Sequence, residues 1–211
     1  DAFLNEHGIA KGYMTLVDAF RAETLGRTMK DPIEASGGSA ANTMVGIASL
    51  GGKAAFVGKV NDDRLGQVFN EDIHKSGVAF DSAPSNGKIA TASCHILISP
   101  DGQRSMNTYL GCAAALTEAD MSPQKIAAAR VLYIEGYLWD APETKAAIRT
   151  AIAHAKAAKR KVAFTLSDPF CVGRWRDEFK ALLASDIDIL FANEVEAKAL
   201  YETERFDGAF Q

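Results

Sequence analysis

The sequence predicts a layered α/β domain with parallel strands, and three observations carry that expectation. In the second half, short apolar runs at 131–134, 162–166 and 187–191 alternate with amphipathic stretches, one over 142–159 and one marked by Trp175, Phe179, Leu182 and Leu183. Strands spaced by helices in this way pair in parallel, because right-handed crossovers lay the helices on the sheet faces. The 211 residues are 47% hydrophobic and 24% charged, which suits one buried core and excludes a disordered or fibrous chain. No solenoid-type repeat or low-complexity linker divides the chain, so a second domain would be an insertion rather than a bead on a string.

Taken in order, residues 14–17 read as a strand. A glycine-rich turn, Ser36-Gly37-Gly38-Ser39-Ala40-Ala41-Asn42, feeds a helix of small residues that runs to Leu50-Gly51-Gly52. Residues 54–57 read as a strand, and Leu65, Val68, Phe69 and Ile73 mark a helix that Gly77 can cap. Residues 94–98 and 105–109, joined by Pro100-Asp101-Gly102-Gln103, have the pattern of a β-hairpin. With 14–17 this hairpin can build a small separate sheet. In the second half, Ile148, Ala151, Ile152 and Ala155 share one face of the helix over 142–159.

Several function classes drop out. With 23 basic and 27 acidic side chains the formal charge is −4, and no window is dominated by Lys and Arg, so nucleic acid is not the expected partner. Cys94, Cys112 and Cys171 are widely spaced, without a Cys-x-x-Cys pair for zinc or dithiol chemistry. A reducing, cytoplasmic location is expected, with no membrane span and no signal-like start at Asp1-Ala2-Phe3-Leu4. Gly46 and Gly51 have P-loop spacing, but Gly52 stands where the Lys belongs and Lys53 comes one place late. His7, His74, His95 and His154 are scattered, with neither a His-Glu-x-x-His helix nor a Gly-x-Ser-x-Gly elbow. A nicotinamide-cofactor enzyme lacks its Gly-x-Gly-x-x-Gly after a strand.

The glycine turn is the feature left for chemistry. Gly37 and Gly38 can bring backbone N–H groups close to a polar ligand, a helix N-terminus adds partial positive charge, and Asn42 in the first turn can donate or accept. That suits a polyhydroxylated substrate. On spacing alone, a loop-to-helix connection with Ser39 as N-cap explains the same residues.

Gly37-Gly38-Ser39-Ala40-Ala41-Asn42, with Leu50-Gly51-Gly52, Phe56-Val57-Gly58-Lys59-Val60 and Asp62-Asp63-Arg64-Leu65-Gly66, resembles the first signature of the ribokinase-like (PfkB) carbohydrate kinases. Downstream, Asp101-Gly102-Gln103-Arg104-Ser105 with Tyr109-Leu110-Gly111 resembles the lid hairpin of that family, and Asn193-Glu194-Val195-Glu196 its Asn-x-x-Glu motif. The segments from Lys11 to Asp18 and Glu135-Gly136-Tyr137-Leu138-Trp139 are most similar to the adenosine-kinase-like branch. The resemblance implies a three-layer α/β/α fold with a mostly parallel central sheet. It also implies a small β-sheet lid from about 9–36 and 90–110, inserted into one kinase domain over 1–211.

It further implies ATP-dependent, Mg²⁺-assisted phosphorylation of a primary hydroxyl on a small-molecule sugar or nucleoside, by a monomer or a homodimer. Gly37, Gly38, Ser39 and Asn42 would hold the sugar, and Glu135 would contact it from a strand end. Arg104 would sit on the lid near the transferring phosphate. Asn193 and Glu196 would organise Mg²⁺, through water, and the phosphate oxygens of ATP, and Asp168-Pro169 falls where the family often has Asn-Pro near the nucleotide phosphates. Each has a plainer structural explanation: Asn193 and Glu196 form a capping box, Arg104 is a solvated hairpin charge, and Glu135 and Asp168 end strands or start helices. Cys112 departs from the usual Ala at little cost.

In this family the proton acceptor is the Asp of a Gly-Ala-Gly-Asp signature, which this sequence lacks, and the first strand with its substrate-binding Asp would precede Asp1. The expectation is a chain incomplete at both ends, since a sheet without those parts would expose apolar faces. Two readings stay open: a trimmed kinase, and a noncatalytic relative that binds a nucleoside or sugar without turnover.

Overall fold

Caps and apolar periods set the element boundaries of this chain, which a computed structural model describes over residues 2–85 and 87–205. The expectation about the chain ends, Asp1 and Phe210-Gln211, lies outside these residues. The chain divides into two units, Asp1–Ala115 and Leu116–Gln211.

The first unit contains α1 (Ala2–Glu6), β1 (Met14–Leu16), α2 (Ala19–Thr28), α3 (Ser39–Ser49), β2 (Ala54–Ala55), α4 (Arg64–Lys75), β3 (Val78–Ala79), β4 (Ser93–Ile98) and β5 (Arg104–Tyr109). Strands β4 and β5 form the expected hairpin, each longer by one residue. Its turn closes where the Ser99 N–H donates to the Gln103 carbonyl at 3.0 Å and Gly102 takes φ +81°. Strand β1 pairs in parallel with β5, giving a separate sheet of order β1-β5-β4. Helix α2 packs on this sheet through buried Ala22 and Leu25, and Asp18 caps it by accepting the Arg21 N–H at 2.7 Å. A second small sheet pairs β2 with β3 in parallel. Around it Phe56, Phe69 and Phe80 meet with ring centres 5.3–5.8 Å apart, beside buried Ile73 and Val78.

Two expectations change here. The strand over 54–57 shortens to two paired residues because its partner β3 has only two to offer. Ser39 is not the N-cap: Gly38, at φ +99° and ψ 137°, precedes the helix without a side-chain cap, and Ser39 is the first helical residue.

The second unit contains α5 (Pro123–Ala128), β6 (Val131–Glu135), α6 (Pro142–Ala157), β7 (Lys161–Thr165), α7 (Pro169–Ser185), β8 (Ile189–Phe191) and α8 (Glu194–Tyr201). Its three strands run parallel in the order β6-β7-β8, with Glu135 opposite Thr165 and Thr165 opposite Phe191. Central β7 is buried on both faces through Val162, Ala163 and Phe164, so it reads as one apolar run rather than an alternation. Ala147, Ile148, Ala151, Ile152 and Ala155 form the buried stripe of α6. Phe179 of α7 stands edge-on to Phe164 and Trp139, with ring centres 5.0 and 6.0 Å away.

Helix α7 is not continuous. Trp175 leaves helical geometry at φ −125° and ψ 21°, and its indole N–H donates to Asp140 Oδ1 at 2.6 Å. Strand β8 begins two residues later than its apolar run, because the Ile187 N–H still closes the end of α7 on the Leu182 carbonyl. Its residues are open to solvent, Phe191 at 53%. Among the described residues no helix is long and apolar enough to cross a membrane.

Candidate active site

Ligands of parallel α/β sheets gather at the carboxyl ends of the strands, and four of the expected residues lie there in the second unit. Glu135 is the last residue of β6, Asp168 follows β7 by three residues, and Asn193 follows β8 by two, with Glu196 one turn into α8. Three adjacent strands at about 4.8 Å spacing put these strand ends within ~10 Å across the sheet.

Glu135 is buried, and the Tyr133 hydroxyl donates to its Oε1 at 3.4 Å. Asp168 caps α7, where its Oδ1 accepts the Cys171 N–H at 2.6 Å. Asn193 and Glu196 form a reciprocal capping box. The Glu196 N–H donates to Asn193 Oδ1 at 2.9 Å, and the Asn193 N–H and Nδ2 donate to the two oxygens of Glu196 at 3.1 and 2.8 Å. Glu196 is 6% exposed while Asn193 is open to solvent.

Sequence reasoning missed two residues that join these strand ends. Ser167, just before Asp168, takes φ +72°, a left-handed conformation that costs a non-glycine residue on the order of 1–2 kcal/mol. The Tyr137 N–H donates to Ser167 Oγ at 3.3 Å and the Tyr137 hydroxyl to the Ser167 carbonyl at 3.2 Å. Burial, with the nearby Asp168 and Glu135 carboxylates adding to it, holds the Tyr137 phenol well above its ordinary range. It is therefore a neutral donor at physiological pH. The only sequence signal for it was its place two residues beyond Glu135. Burial also pushes the Cys171 thiol up to about 12, which makes it inert packing at the foot of α7.

The remaining expected residues belong to the first unit. Gly37, Gly38, Ser39 and Asn42 are all exposed, and the Asn42 N–H donates to the Gly38 carbonyl at 2.8 Å in the first turn of α3. Gly38 needs to be glycine because of its φ of +99°. Gly37 does not: its backbone is outside the left-handed region, and a Cβ there would meet nothing within 4 Å. Nothing inside the described fold requires glycine at 37, whereas a ligand resting on the backbone would. Arg104 opens β5 opposite Ile98 at the tip of the hairpin, exposed and without an ion pair among the described residues.

No cluster of three or more His, Cys, Asp or Glu suited to a metal occurs among the described residues. Glu196 alone offers one carboxylate with both oxygens already hydrogen-bonded. That donor set fits Mg²⁺ held through its own waters and phosphate oxygens, and does not fit a dedicated protein cage. Two surface concavities of about 250 and 340 Å³, one along Lys145, Arg149 and Trp175 and one along Lys156, Lys161 and Asp188, contain none of these residues.

The model of the pfkB family of carbohydrate kinases matches residues 13–208. The crystal structure of adenosine kinase from Sinorhizobium meliloti is 53% identical and superposes with a TM-score of 0.90, covering 99% of this chain and 64% of that one. Adenosine kinase from Anopheles gambiae, at 22% identity and a TM-score of 0.82 over 99% of this chain and 65% of that one, shares the fold. Fructokinase-1 of Oryza sativa subsp. japonica is 28% identical over 80% of this chain and 54% of its own length. The chain thus spans about half the length of that curated relative and about two thirds of the solved ones. With the family model covering nearly all of it and the α/β fold shared throughout, the chain belongs to the pfkB family of carbohydrate kinases.

Proposed function

We propose that the protein transfers the terminal phosphoryl group of ATP to a primary hydroxyl of a nucleoside or sugar, with adenosine as the preferred acceptor. The observation that carries this reading is the gathering of Glu135, Asp168, Asn193 and Glu196 on the carboxyl edge of one parallel sheet, in a chain of this family. Adenosine is favoured because the relative at 53% identity bears that name, while the fructokinase shares 28%. The outer face of the lid sheet, built from about 9–36 and 90–110, supports it. Met14, Leu16, Ile96 and Ile98 stand open there, an apolar surface suited to a flat heterocycle.

In this reading the backbone at Gly37 and Gly38, the Ser39 hydroxyl and the Asn42 amide bind sugar hydroxyls. Glu135 accepts a hydrogen bond from another. Arg104 brings a guanidinium to the moving phosphoryl group. Asn193 and Glu196 would hold Mg²⁺ through its waters and the phosphate oxygens, and Asp168 would lie near the nucleotide phosphates. Bound Mg²⁺ supplies charge neutralisation on the phosphate oxygens. The residues do little covalent work; they align acceptor and donor in line and offer oriented dipoles. The proton acceptor is assigned to none of them.

The test is phosphorylation by the full-length protein with ATP and Mg²⁺, offering adenosine, ribose and fructose in parallel. Turnover of adenosine above the others is expected. Binding of adenosine without turnover would replace the reading by a noncatalytic nucleoside-binding relative, and turnover of fructose alone would reassign the acceptor.

A further inference from the structure

The hairpin β4–β5 leaves the body of the first unit at two feet, residues 90–92 and 111–112, and both are tied to one point. The Cys112 N–H donates to the Ala90 carbonyl at 2.9 Å, joining the feet to each other. Gly111, at φ +49°, lies so close that a Cβ would sit 2.3 Å from the Ala90 oxygen. The Asn61 N–H donates to Thr91 Oγ1 at 2.8 Å, and Thr91 is 5% exposed. At the centre is Asp63: one carboxylate oxygen accepts the Gly66 N–H and caps α4, and the other accepts the Thr91 N–H, both at 2.8 Å. The cap alone needs one oxygen. The second is spent on the foot of the hairpin.

Helix α4 also holds the other approach to the glycine turn. The Arg64 guanidinium donates to both oxygens of Glu34 at 2.5 and 2.7 Å, and Asp72 Oδ2 accepts the Ser36 N–H at 2.8 Å, one residue before Gly37. The segment that presents the glycine turn and the hairpin that carries Arg104 are therefore mounted on one helix.

We propose that Asp63 is a positioning residue: by bonding α4 and the hairpin foot with one carboxylate, it sets where the lid closes relative to the glycine turn. This rests on the kinase reading for what the lid closes over; the anchor itself stands on the geometry above. Burial of Asp63 opposes its charge, but the bonds from Thr91 and Gly66 outweigh it and keep the carboxyl ionised.

The experiment compares Asp63→Ser, which retains a capping oxygen but cannot reach Thr91 as well, with the unaltered full-length protein. Kinetics with adenosine and ATP are read beside amide hydrogen exchange. The expected result is an adenosine KM raised at least about tenfold, with kcat and the ATP KM within about threefold. More ATP should be hydrolysed per product formed, as water enters an ill-closed site. Exchange at residues 91 and 112 should quicken at least about tenfold while the α4 amides keep their protection. Unchanged exchange at 91 and 112 would overturn the anchor, and faster exchange with unchanged adenosine KM would overturn the positioning role. If the unaltered protein phosphorylates no acceptor, the kinase reading fails by itself, and the exchange comparison still decides the anchor. Should Asp63→Ser melt below the assay temperature, Asp63→Asn, whose amide nitrogen would face the Thr91 N–H, carries the same comparison.

Discussion

Residues 116–205 and residues 2–115 differ in how large an apolar core holds each together. The former share one dry core in which Ile134, Trp139, Phe164, Leu166, Val172, Phe179 and Leu200 are all but excluded from water, while the ion pairs, such as Lys161–Asp188 and Arg174–Asp140, stay on the rim. The latter have two smaller apolar clusters, around Phe80 and around Leu25, while buried polar residues occur in both, Thr91, Ser105 and Asn107 here and Glu135, Thr144 and Glu196 there. Carboxylates accept backbone N–H groups in both units, Asp168 and Asp188 in the former and Asp18, Asp63 and Asp72 in the latter, but in the latter the apolar clusters they join are smaller. A close-packed core resists deformation, whereas a unit joined by partly exposed hydrogen bonds opens at low local cost. The difference teaches that Glu135, Asp168, Asn193 and Glu196 are mounted on the closely packed unit, and the glycine turn and the hairpin on the one whose parts can adjust.

The largest effect that could break this contrast is a core deletion. Phe179→Ala should cost about 3–5 kcal/mol of unfolding free energy, read by urea denaturation, with loss of protection throughout 131–191. A cost below about 1 kcal/mol would mean that the second unit is not the stiff half. Next comes Glu196→Gln, which keeps a capping side chain but removes the charge beside the proposed metal waters. It should lower kcat about a hundredfold, equivalent to ~2.7 kcal/mol, while stability falls by no more than about 1 kcal/mol. A stability loss without the drop in kcat would leave Glu196 as a cap and nothing more.

The same contrast explains what the sequence made legible. Strand β7 was readable because its burial is continuous and helix α6 because its burial is periodic, as was the hairpin, whose turn needs Gly102 in a left-handed conformation. Helix α2 was not: only Ala22 and Leu25 are buried, too sparse a stripe to signal a period. Strand β3 was missed because two paired residues carry no pattern. The break at Trp175 was hidden because Phe179 and Leu182 keep helical spacing beyond it. At the site, Asn193 and Glu196 were legible as a motif, and their capping bonds followed from the same letters. Ser167 and Tyr137 were not, since a serine at positive φ is set by packing around it and leaves no trace in residue type.

A smaller effect sharpens the contrast within the glycine turn. Gly37→Ala should leave stability within about 0.5 kcal/mol, because the added Cβ meets open space. It should raise the acceptor KM about tenfold, or ~1.4 kcal/mol, if a ligand rests on that backbone. Gly38→Ala should instead cost about 1–2 kcal/mol of stability through its positive φ. Calorimetric melting beside acceptor titration separates the two, and equal behaviour of both variants would remove the argument that glycine at 37 serves a ligand.

The smallest expected effect concerns pH and the β1-β5-β4 sheet with α2. His95 on β4 lies against Gly26 of α2, where a Cβ would come within 3.0 Å of its Nε2, and its buried Nδ1 has no hydrogen-bond partner. Burial holds its pKa below the ordinary value, so the neutral ring is the folded form. Above about pH 6.5 the ring is neutral whether folded or not, and the packing is at full strength. As pH falls below that value the unfolded chain takes the proton first, so stability drains from the α2–β4 contact until the folded pKa is passed. The lowered carboxylates of Asp63 and Asp72 act in the same direction but only in a more acid window, below about 3.9. Between pH 7 and pH 5, exchange protection corrected for intrinsic rates should therefore fall a few-fold in 19–28 and 93–98 while that of 161–165 holds. His95→Leu should abolish the fall. A decline of equal size in the His95→Leu protein would place the pH sensitivity elsewhere in the first unit.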